Sequence, residues 1–109
     1  MNVNELVNKL NLEVINYGDK SDSEITGCYA TDLLSLAMGN IESGNIWITV
    51  QTNMNILGIG ALTDTSCIIV AQNMTIPDEV LKKTAEENIC LLRSDKTIYE
   101  LCKKIGELL

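Results

Sequence analysis

The side chains best placed for chemistry in this sequence directly follow three apolar segments. Gln51-Thr52-Asn53 follows the first segment, Ala71-Gln72-Asn73 the second and Arg93-Ser94-Asp95 the third. Amides and hydroxyls recognise the hydrogen-bonding edges of a base, a sugar or a peptide, whereas proton transfer needs a group whose pKa can be brought near neutrality. These positions therefore favour binding over catalysis, although each side chain could equally cap a helix. Arg93 could hold an anion or pair with a surface carboxylate.

Histidine is absent from the 109 residues, which removes the commonest general base and every Ser-His or Cys-His nucleophile pair. The four cysteines, Cys28, Cys67, Cys90 and Cys102, form no CxxC pair, so we expect reduced, buried, structural thiols rather than a zinc or cluster site. Glu24, Asp32 and Asp95 are carboxylates near candidate loops. A metal-assisted hydrolase is the enzymatic alternative, but isolated carboxylates at helix starts are more often caps. We predict no enzyme activity, no metal and no cofactor.

A second candidate region contains Thr26, Gly27 and Tyr29. A short strand is predicted to run into Gly27 and then into a helix opened by Thr31-Asp32, which would place backbone N–H groups near the glycine. That arrangement could bind an anion or could be an ordinary turn. The predicted ligand, if one binds, is a nucleotide or a small phosphorylated metabolite. The candidate ligand-binding residues are Thr26, Gly27, Tyr29, Asp32, Gln51, Thr52 and Asn53.

Three apolar, β-branched segments indicate the strands that must position these groups. They comprise residues 46–50, 67–70 and 89–92. Continuous apolar character is typical of strands covered on both faces, and intervals of about twenty residues leave room for the crossover helix of a βαβ unit. We therefore predict an α/β fold: a single three-layer domain over residues 1–109, with a mostly parallel central sheet and crossover helices.

The helix signals between the strands support this fold. Asn2-x-x-Glu5 and Thr97-x-x-Glu100 are capping boxes, and Pro77 suits a first helical turn. Residues 53–62 are different because apolar groups surround this predicted helix, which indicates burial or an interface. Gly58 and Gly60 lower the intrinsic stability of this helix, and we expect close packing at both glycines to offset that loss. We predict a homodimer whose candidate interface residues are Met54, Ile56, Leu57 and Ile59.

The net charge of the chain indicates which classes of partner are unfavourable. Eight basic and fifteen acidic residues give a formal charge of −7, which disfavours nucleic acid and anionic membrane surfaces. No basic start is followed by an apolar run, and the longest apolar runs are far shorter than the roughly 20 residues that span a bilayer. We expect a cytoplasmic protein; a protein partner cannot be identified from these residues.

Several motifs together resemble the DRTGG domain family over nearly the whole chain. They are Ile25-Thr26-Gly27-Cys28-Tyr29, Asp32-Leu33-Leu34-Ser35, the stretch of residues 44–53, and Pro77-Asp78-Glu79. Two departures stand out. Asp22-Ser23-Glu24 occupies the place where the family has an arginine before the Thr-Gly step, and Cys28 replaces the second glycine. Any function of that arginine or glycine is therefore in doubt here.

The resemblance implies a regulatory and dimerising domain rather than a catalytic unit. Similar modules are fused to phosphotransacetylases, are inserted between CBS domains of regulated pyrophosphatases, and share their fold with the N-terminal domain of HPr kinase. Stand-alone copies in anaerobic bacteria lie near iron-only hydrogenase and electron-transfer components. We therefore predict a non-catalytic regulatory and dimerisation module linked to anaerobic energy or electron-transfer metabolism. A small-ligand sensor, binding at the ends of the strands, is the alternative.

Overall fold

The structure is a computed structural model that describes all residues, Met1–Leu109. Five helices and five strands alternate for most of the chain. In order they are α1 (Val3–Leu10), β1 (Glu13–Asn16), β2 (Gly27–Ala30), α2 (Leu34–Asn40), β3 (Asn45–Thr49), α3 (Asn55–Thr63), β4 (Cys67–Val70), α4 (Asp78–Glu87), β5 (Leu91–Arg93) and α5 (Ile98–Leu108).

The strands form one sheet in the order β1-β5-β4-β3-β2. The pairs β2–β3, β3–β4 and β4–β5 are parallel, while β1 pairs antiparallel with β5. The prediction of a mostly parallel α/β sheet is confirmed. The antiparallel strand β1 was not predicted, because its four residues Glu-Val-Ile-Asn carry no run of buried apolar side chains.

Alternate residues of the central strands point into two hydrophobic clusters. Ile46 and Ile48 pack with residues of α1 and α5, whereas Trp47 between them packs with residues of α2, α3 and α4. Strands β3 and β4 are buried along their whole length, which explains why both read as continuously apolar. The central strands therefore contribute side chains to both clusters. The three-layer arrangement itself stays a prediction, as does the extent of the single domain.

The prediction of a strand that ends before Gly27 is wrong, because β2 begins at this residue. Thr26 N–H donates to the carbonyl of Gly44, which precedes β3, and Thr31 N–H donates to Ile48 O. Pairing with β3 thus runs along residues 27–30. The C-terminal strand is also displaced from the predicted residues 89–92 to Leu91–Arg93.

Both predicted capping boxes are confirmed. The Asn2 side chain accepts from Glu5 N–H at 2.9 Å, and the Thr97 hydroxyl accepts from Glu100 N–H at 3.1 Å. Hydrogen bonds from the backbone and side chain of Thr97 lower the pKa of Glu100. These contacts fix the starts of α1 and α5, the two helices on one face of the sheet. No helix has the length and apolar character needed to cross a membrane.

The two glycines of α3 lie in opposite environments, although close packing was predicted for both. A Cβ at Gly60 would approach Ile68 Cδ1 to 2.8 Å, but a Cβ at Gly58 would meet nothing within 4 Å. Gly58→Ala is therefore expected to raise the free energy of unfolding by about 0.5–1 kcal/mol, because alanine stabilises an exposed helical position. Gly60→Ala should lower it by about 1–3 kcal/mol through overpacking. Urea denaturation of the two variants measures both changes, and equal effects would contradict this packing.

Candidate functional site

The seven candidate ligand-binding residues do not form one site. Because β2 and β3 are parallel, with Gly27 opposite Asn45 and Ala30 opposite Ile48, Thr26 and Gly27 lie at the amino ends of these strands. Gln51-Thr52-Asn53 follows the carboxyl end of β3, at the opposite edge of the sheet. Tyr29 is half-buried in the middle of β2 and packs against the cluster that contains Trp47. A common rim of all seven residues is therefore wrong.

The Thr26-Gly27 turn is held by contacts within the chain. The Thr26 hydroxyl donates to Ser43 O at 2.8 Å and accepts from Asn45 Nδ2 at 3.1 Å. Gly44 packs against it with a φ of +85°, where an added Cβ would lie 2.7 Å from Thr26 Cγ2. Only glycine adopts this conformation readily. The predicted cluster of free N–H groups around Gly27 is absent, since no helix starts there.

Asp32, Thr49 and Gln51 do come together, at the carboxyl ends of β2 and β3. Asp32 Oδ1 accepts from the Thr49 hydroxyl at 2.9 Å and from Val50 N–H at 2.8 Å. Thr49 Oγ1 in turn accepts from Gln51 N–H at 3.0 Å, and Gln51 Nε2 donates to Asp32 O at 3.3 Å. Asn53 Oδ1 accepts from Asn55 N–H at the start of α3. The polar groups at this edge bind one another, and the carboxylate makes the edge acidic.

Asp32→Ala is expected to lower the free energy of unfolding by about 1–3 kcal/mol, because it removes the acceptor for Thr49 and for Val50 N–H. The matched control is Asp22→Ala, at an exposed position, where a change within about 0.5 kcal/mol is expected. Urea denaturation compares the two variants. An Asp32→Ala variant as stable as the control would show that this carboxylate is free for another role.

The polar groups after β4 and β5 also have internal partners. Arg93 donates through Nε to Glu13 Oε1 at 3.0 Å and through Nη1 to Met74 O at 3.3 Å. Gln72 N–H donates to Lys96 O and Asn73 N–H to Ser94 O. A cleft with a volume of about 360 Å³ lies here, and its lining includes Glu13, Asn73 and Arg93. Of the two roles open to Arg93, the structure shows pairing with a carboxylate.

Cys67 and Cys90 are buried as predicted, whereas Cys28 is exposed and Cys102 is partly buried, so the prediction of buried thiols is wrong for these two. Burial raises the pKa of Cys90 to about 12 and that of Cys67 well above its ordinary range. Thiols with such pKa values are poor nucleophiles at neutral pH because little thiolate is present. No group of three or more cysteine, aspartate or glutamate side chains is arranged to hold a metal ion.

The main concave surface lies between α2 and α3, beside α4, and has a volume of about 640 Å³. We call it the α2–α3 groove. Apolar side chains dominate its lining, and Lys83 and Glu87 supply its charged edge. The exposed Gly58 belongs to the lining, which explains its open surroundings. The other lining residues are Leu34, Ser35, Met38, Met54, Asn55, Leu57, Ile59 and Leu62.

Three of the four candidate dimer-interface residues belong to the interior of the chain. Ile56, Leu57 and Ile59 have exposed fractions of 0%, 2% and 4% and pack in the cluster with Trp47. They cannot supply a large interface area, so their assignment to the interface is wrong. Met54 remains exposed at 37%. The apolar character of α3 thus mainly reflects burial in its own domain.

A different set of apolar side chains lies exposed on α2 and α3. Leu33 and Leu36 are exposed by 58% and 45%, and neither lines the groove. Leu34 and Met38 do line it, so the helical period places the two pairs on opposite flanks of α2. The sequence could have indicated this exposed surface. Leu33, Leu34 and Leu36 lie too close together in the sequence for all three to face the core from one side of a helix. The exposed apolar surface comprises Leu33, Leu36, Met38, Met54 and Leu62.

The fold is an α/β domain with a mostly parallel five-stranded sheet. The family model of the HPr serine kinase N terminus matches residues 51–109, which is more than half of the chain. The chain belongs to this family, and the resemblance to DRTGG domains is confirmed. No curated protein gives a significant sequence match.

A similar solved structure comprises the CBS and DRTGG domains of the regulatory region of Clostridium perfringens pyrophosphatase, complexed with the activator diadenosine tetraphosphate. The TM-score is 0.79 at 16% sequence identity, and the match covers 99% of this chain but 47% of that one. The chain therefore spans about half the length of this relative. At such identity the match establishes a common fold.

Proposed function

We propose that the chain is a non-catalytic regulatory module that acts by forming a homodimer. The supporting observation is the exposed apolar surface of α2 and α3, where five large apolar side chains are partly or largely open to water. Met38, Met54 and Leu62 line one groove, and contiguous apolar surface on a small domain commonly marks an interaction site. A link to anaerobic energy or electron-transfer metabolism and a cytoplasmic location are part of this proposal.

The polar strand ends support regulation by association over catalysis. Asp32 and Thr49 satisfy each other and their neighbours, and Arg93 is paired with Glu13. No buried polar side-chain atom lacks a hydrogen-bond partner. A site that performs proton transfer usually keeps a titratable group free and perturbed inside a cleft. The groups at these strand ends instead stabilise the loops that join the strands to α2, α3 and α4.

Light scattering coupled to gel filtration tests the dimer. We expect about 24 kDa, twice the 12.0 kDa of one chain, at micromolar concentration, since a specific interface buries more than about 1,000 Å². The buffer should contain about 0.15 M salt, which screens the repulsion between the two negatively charged copies. A mass of one chain at every concentration would reject the proposal.

Nucleotide binding is the second candidate function. The observation in its favour is that the structurally similar pyrophosphatase regulatory region is complexed with diadenosine tetraphosphate. In this chain the α2–α3 groove, at about 640 Å³, is large enough for a nucleoside, because small-molecule pockets span about 300–1,000 Å³. Lys83 lies at its edge, although this lysine also pairs with Glu87 at 3.2 Å.

A thermal-shift comparison of diadenosine tetraphosphate, ATP and GTP tests this second function. A ligand at 100 times its dissociation constant stabilises the native state by about 2.7 kcal/mol, which corresponds to a rise in Tm of about 10 °C for a domain of this size. Gly58→Leu, which would fill the groove, should abolish the shift. Shifts below a degree or two with every nucleotide would exclude binding.

A further inference from the structure

The loops that follow β4 and β5 diverge at the carboxyl ends of these two neighbouring strands. The loop after β4 leads to α4, whose Val80 packs in the cluster that contains Trp47. The loop after β5 leads to α5, whose Leu101 packs in the cluster that contains Ile46. The helices after β2 and β3 pack with Trp47 as well, so the connections of the parallel strands diverge only here. In open α/β sheets, ligands bind in the crevice beside such a divergence.

The cleft of about 360 Å³ lies at this position, and we call it the polar cleft. Its volume is within the range of about 300–1,000 Å³ that small-molecule sites occupy. None of its lining residues is hydrophobic, and none of them belongs to the α2–α3 groove. The side-chain amides of Asn11 and Asn73 line it, and neither amide is used in a hydrogen bond within the chain. A ligand here would therefore be held by hydrogen bonds and charges.

The polar cleft contains one unpaired charge of each sign. Glu13 and Arg93 both line it, but they form an ion pair with each other at 2.9 Å. Asp95 and Lys96 line it too, and neither belongs to any ion pair of the chain. Lys96 is half-buried, whereas Asp95 is exposed. The groups left for a ligand are thus one carboxylate and one ammonium from consecutive residues, together with two amides.

Hydrogen bonds between the two loops hold the backbone that carries these groups. Gln72 N–H donates to Lys96 O at 2.9 Å, and Asn73 N–H donates to Ser94 O at 2.8 Å. The buried Ser94 hydroxyl accepts from Lys96 N–H at 3.1 Å. Because the backbone of the polar cleft is already fixed, a ligand would not have to order it, and binding would cost less entropy.

We propose that the polar cleft binds a free α-amino acid with a short polar side chain. An α-amino acid carries an ammonium and a carboxylate on one carbon, which matches a site with one free charge of each sign. Asp95 would accept from the ligand's ammonium and Lys96 would donate to its carboxylate, both as charge-assisted hydrogen bonds. The amides of Asn11 and Asn73 would bind the polar side chain. This inference goes beyond the proposed function, because it assigns the module a ligand and a site apart from its apolar surface.

The charges of the polar cleft disfavour a phosphorylated ligand. The two basic residues of its lining are balanced by its two acidic residues, and the whole chain carries a charge of −7. A multiply charged anion would meet repulsion from both carboxylates. An apolar amino acid is disfavoured for another reason, since its side chain would cover the two amides without pairing them.

Nuclear magnetic resonance of the ¹⁵N-labelled native protein, titrated with L-serine, tests the site. We expect saturable shifts of the backbone N–H signals of Asn73, Asp95 and Lys96. N-acetyl-L-serine lacks the ammonium and L-serine amide lacks the carboxylate, so each should bind at least about tenfold more weakly, because each loses a hydrogen bond between charged groups. Inorganic phosphate, the anion control, should shift these signals little.

Two variants with matched controls assign the binding to the unpaired charges. Lys96→Met removes the ammonium and keeps a long apolar stem, whereas Lys82→Met makes the same change at an exposed position outside the cleft. Asp95→Asn and the exposed Asp22→Asn form the second pair. We expect the cleft variants to raise the dissociation constant for L-serine at least about tenfold and the controls to leave it within about twofold. Circular dichroism and Tm establish that each variant is folded.

The result that the inference requires is saturable binding of L-serine that is lost in Lys96→Met and Asp95→Asn but kept in their controls. Three results would overturn it: no saturable shift with L-serine or L-asparagine, binding of phosphate as tight as that of L-serine, or equal affinity in the cleft variants and their controls. None of these results bears on dimerisation, because the mass of the native protein is measured without any amino acid.

Discussion

Trp47→Ala is expected to lower the free energy of unfolding by about 3–5 kcal/mol, the usual cost of deleting a buried aromatic side chain. Trp47 is completely buried at the centre of β3. Its indole N–H donates to Thr31 O at 3.0 Å, so the same side chain fills the core and fixes the end of β2. A domain of this size has about 5–15 kcal/mol of stability in total, so the variant should be close to unfolding.

Urea denaturation followed by far-ultraviolet circular dichroism measures this loss without relying on the deleted fluorophore. Trp47→Phe is the matched variant: it keeps much of the buried area but leaves Thr31 O without its donor, so a smaller loss of about 1–3 kcal/mol is expected. Tyr99→Ala, at a side chain exposed by 73%, should change stability by less than about 0.5 kcal/mol. Equal losses for Trp47→Ala and Tyr99→Ala would contradict the assigned core.

The double variant Leu33→Asp, Leu36→Asp is expected to raise the dissociation constant of the dimer by about tenfold to a hundredfold. Buried apolar anchors at interfaces typically contribute about 2 kcal/mol or more each, and the two new carboxylates would have to be desolvated. Each copy already carries a charge of −7, which adds repulsion. Both leucines are exposed in the chain, so the fold should tolerate the change. Sedimentation equilibrium measures the dissociation constant.

Tyr99→Asp is the control for this double variant, because Tyr99 is a large exposed side chain on α5, on the other face of the sheet. It should leave the dissociation constant within about twofold. A second comparison uses Met38→Glu and Leu62→Glu on the α2–α3 groove. If these weaken the dimer and the Leu33/Leu36 variant does not, the interface lies over the groove instead of over the flank of α2 that carries Leu33 and Leu36.

The strands β3 and β4 and the helices α3 to α5 could be predicted from the sequence because each carries a strong local signal. Continuous β-branched runs predicted the buried strands, and the capping box Thr97-x-x-Glu100 predicted the start of α5. Strand β1 could not be predicted, since its pairing with β5 depends on residues almost eighty positions away. The displacement of β2 has the same origin: only pairing with β3 shows that Gly27 begins the strand.

The candidate site was predicted less well than the fold. The sequence correctly predicted that Asp32 lies near Gln51, because each residue follows one of two neighbouring parallel strands. It wrongly added Thr26, which lies at the opposite ends of these strands. The apolar character of α3 was read as an interface, although Ile56 and Leu57 are buried inside the domain. Burial within one chain and burial between two chains select the same residue types, so composition alone does not separate them.

The mass of the native protein in solution tests the central claim most directly. Light scattering across a dilution series from high to low micromolar concentration should show about 24 kDa, falling toward the 12.0 kDa of the single chain as the dimer dissociates. A mass of 12.0 kDa throughout the series would contradict the account.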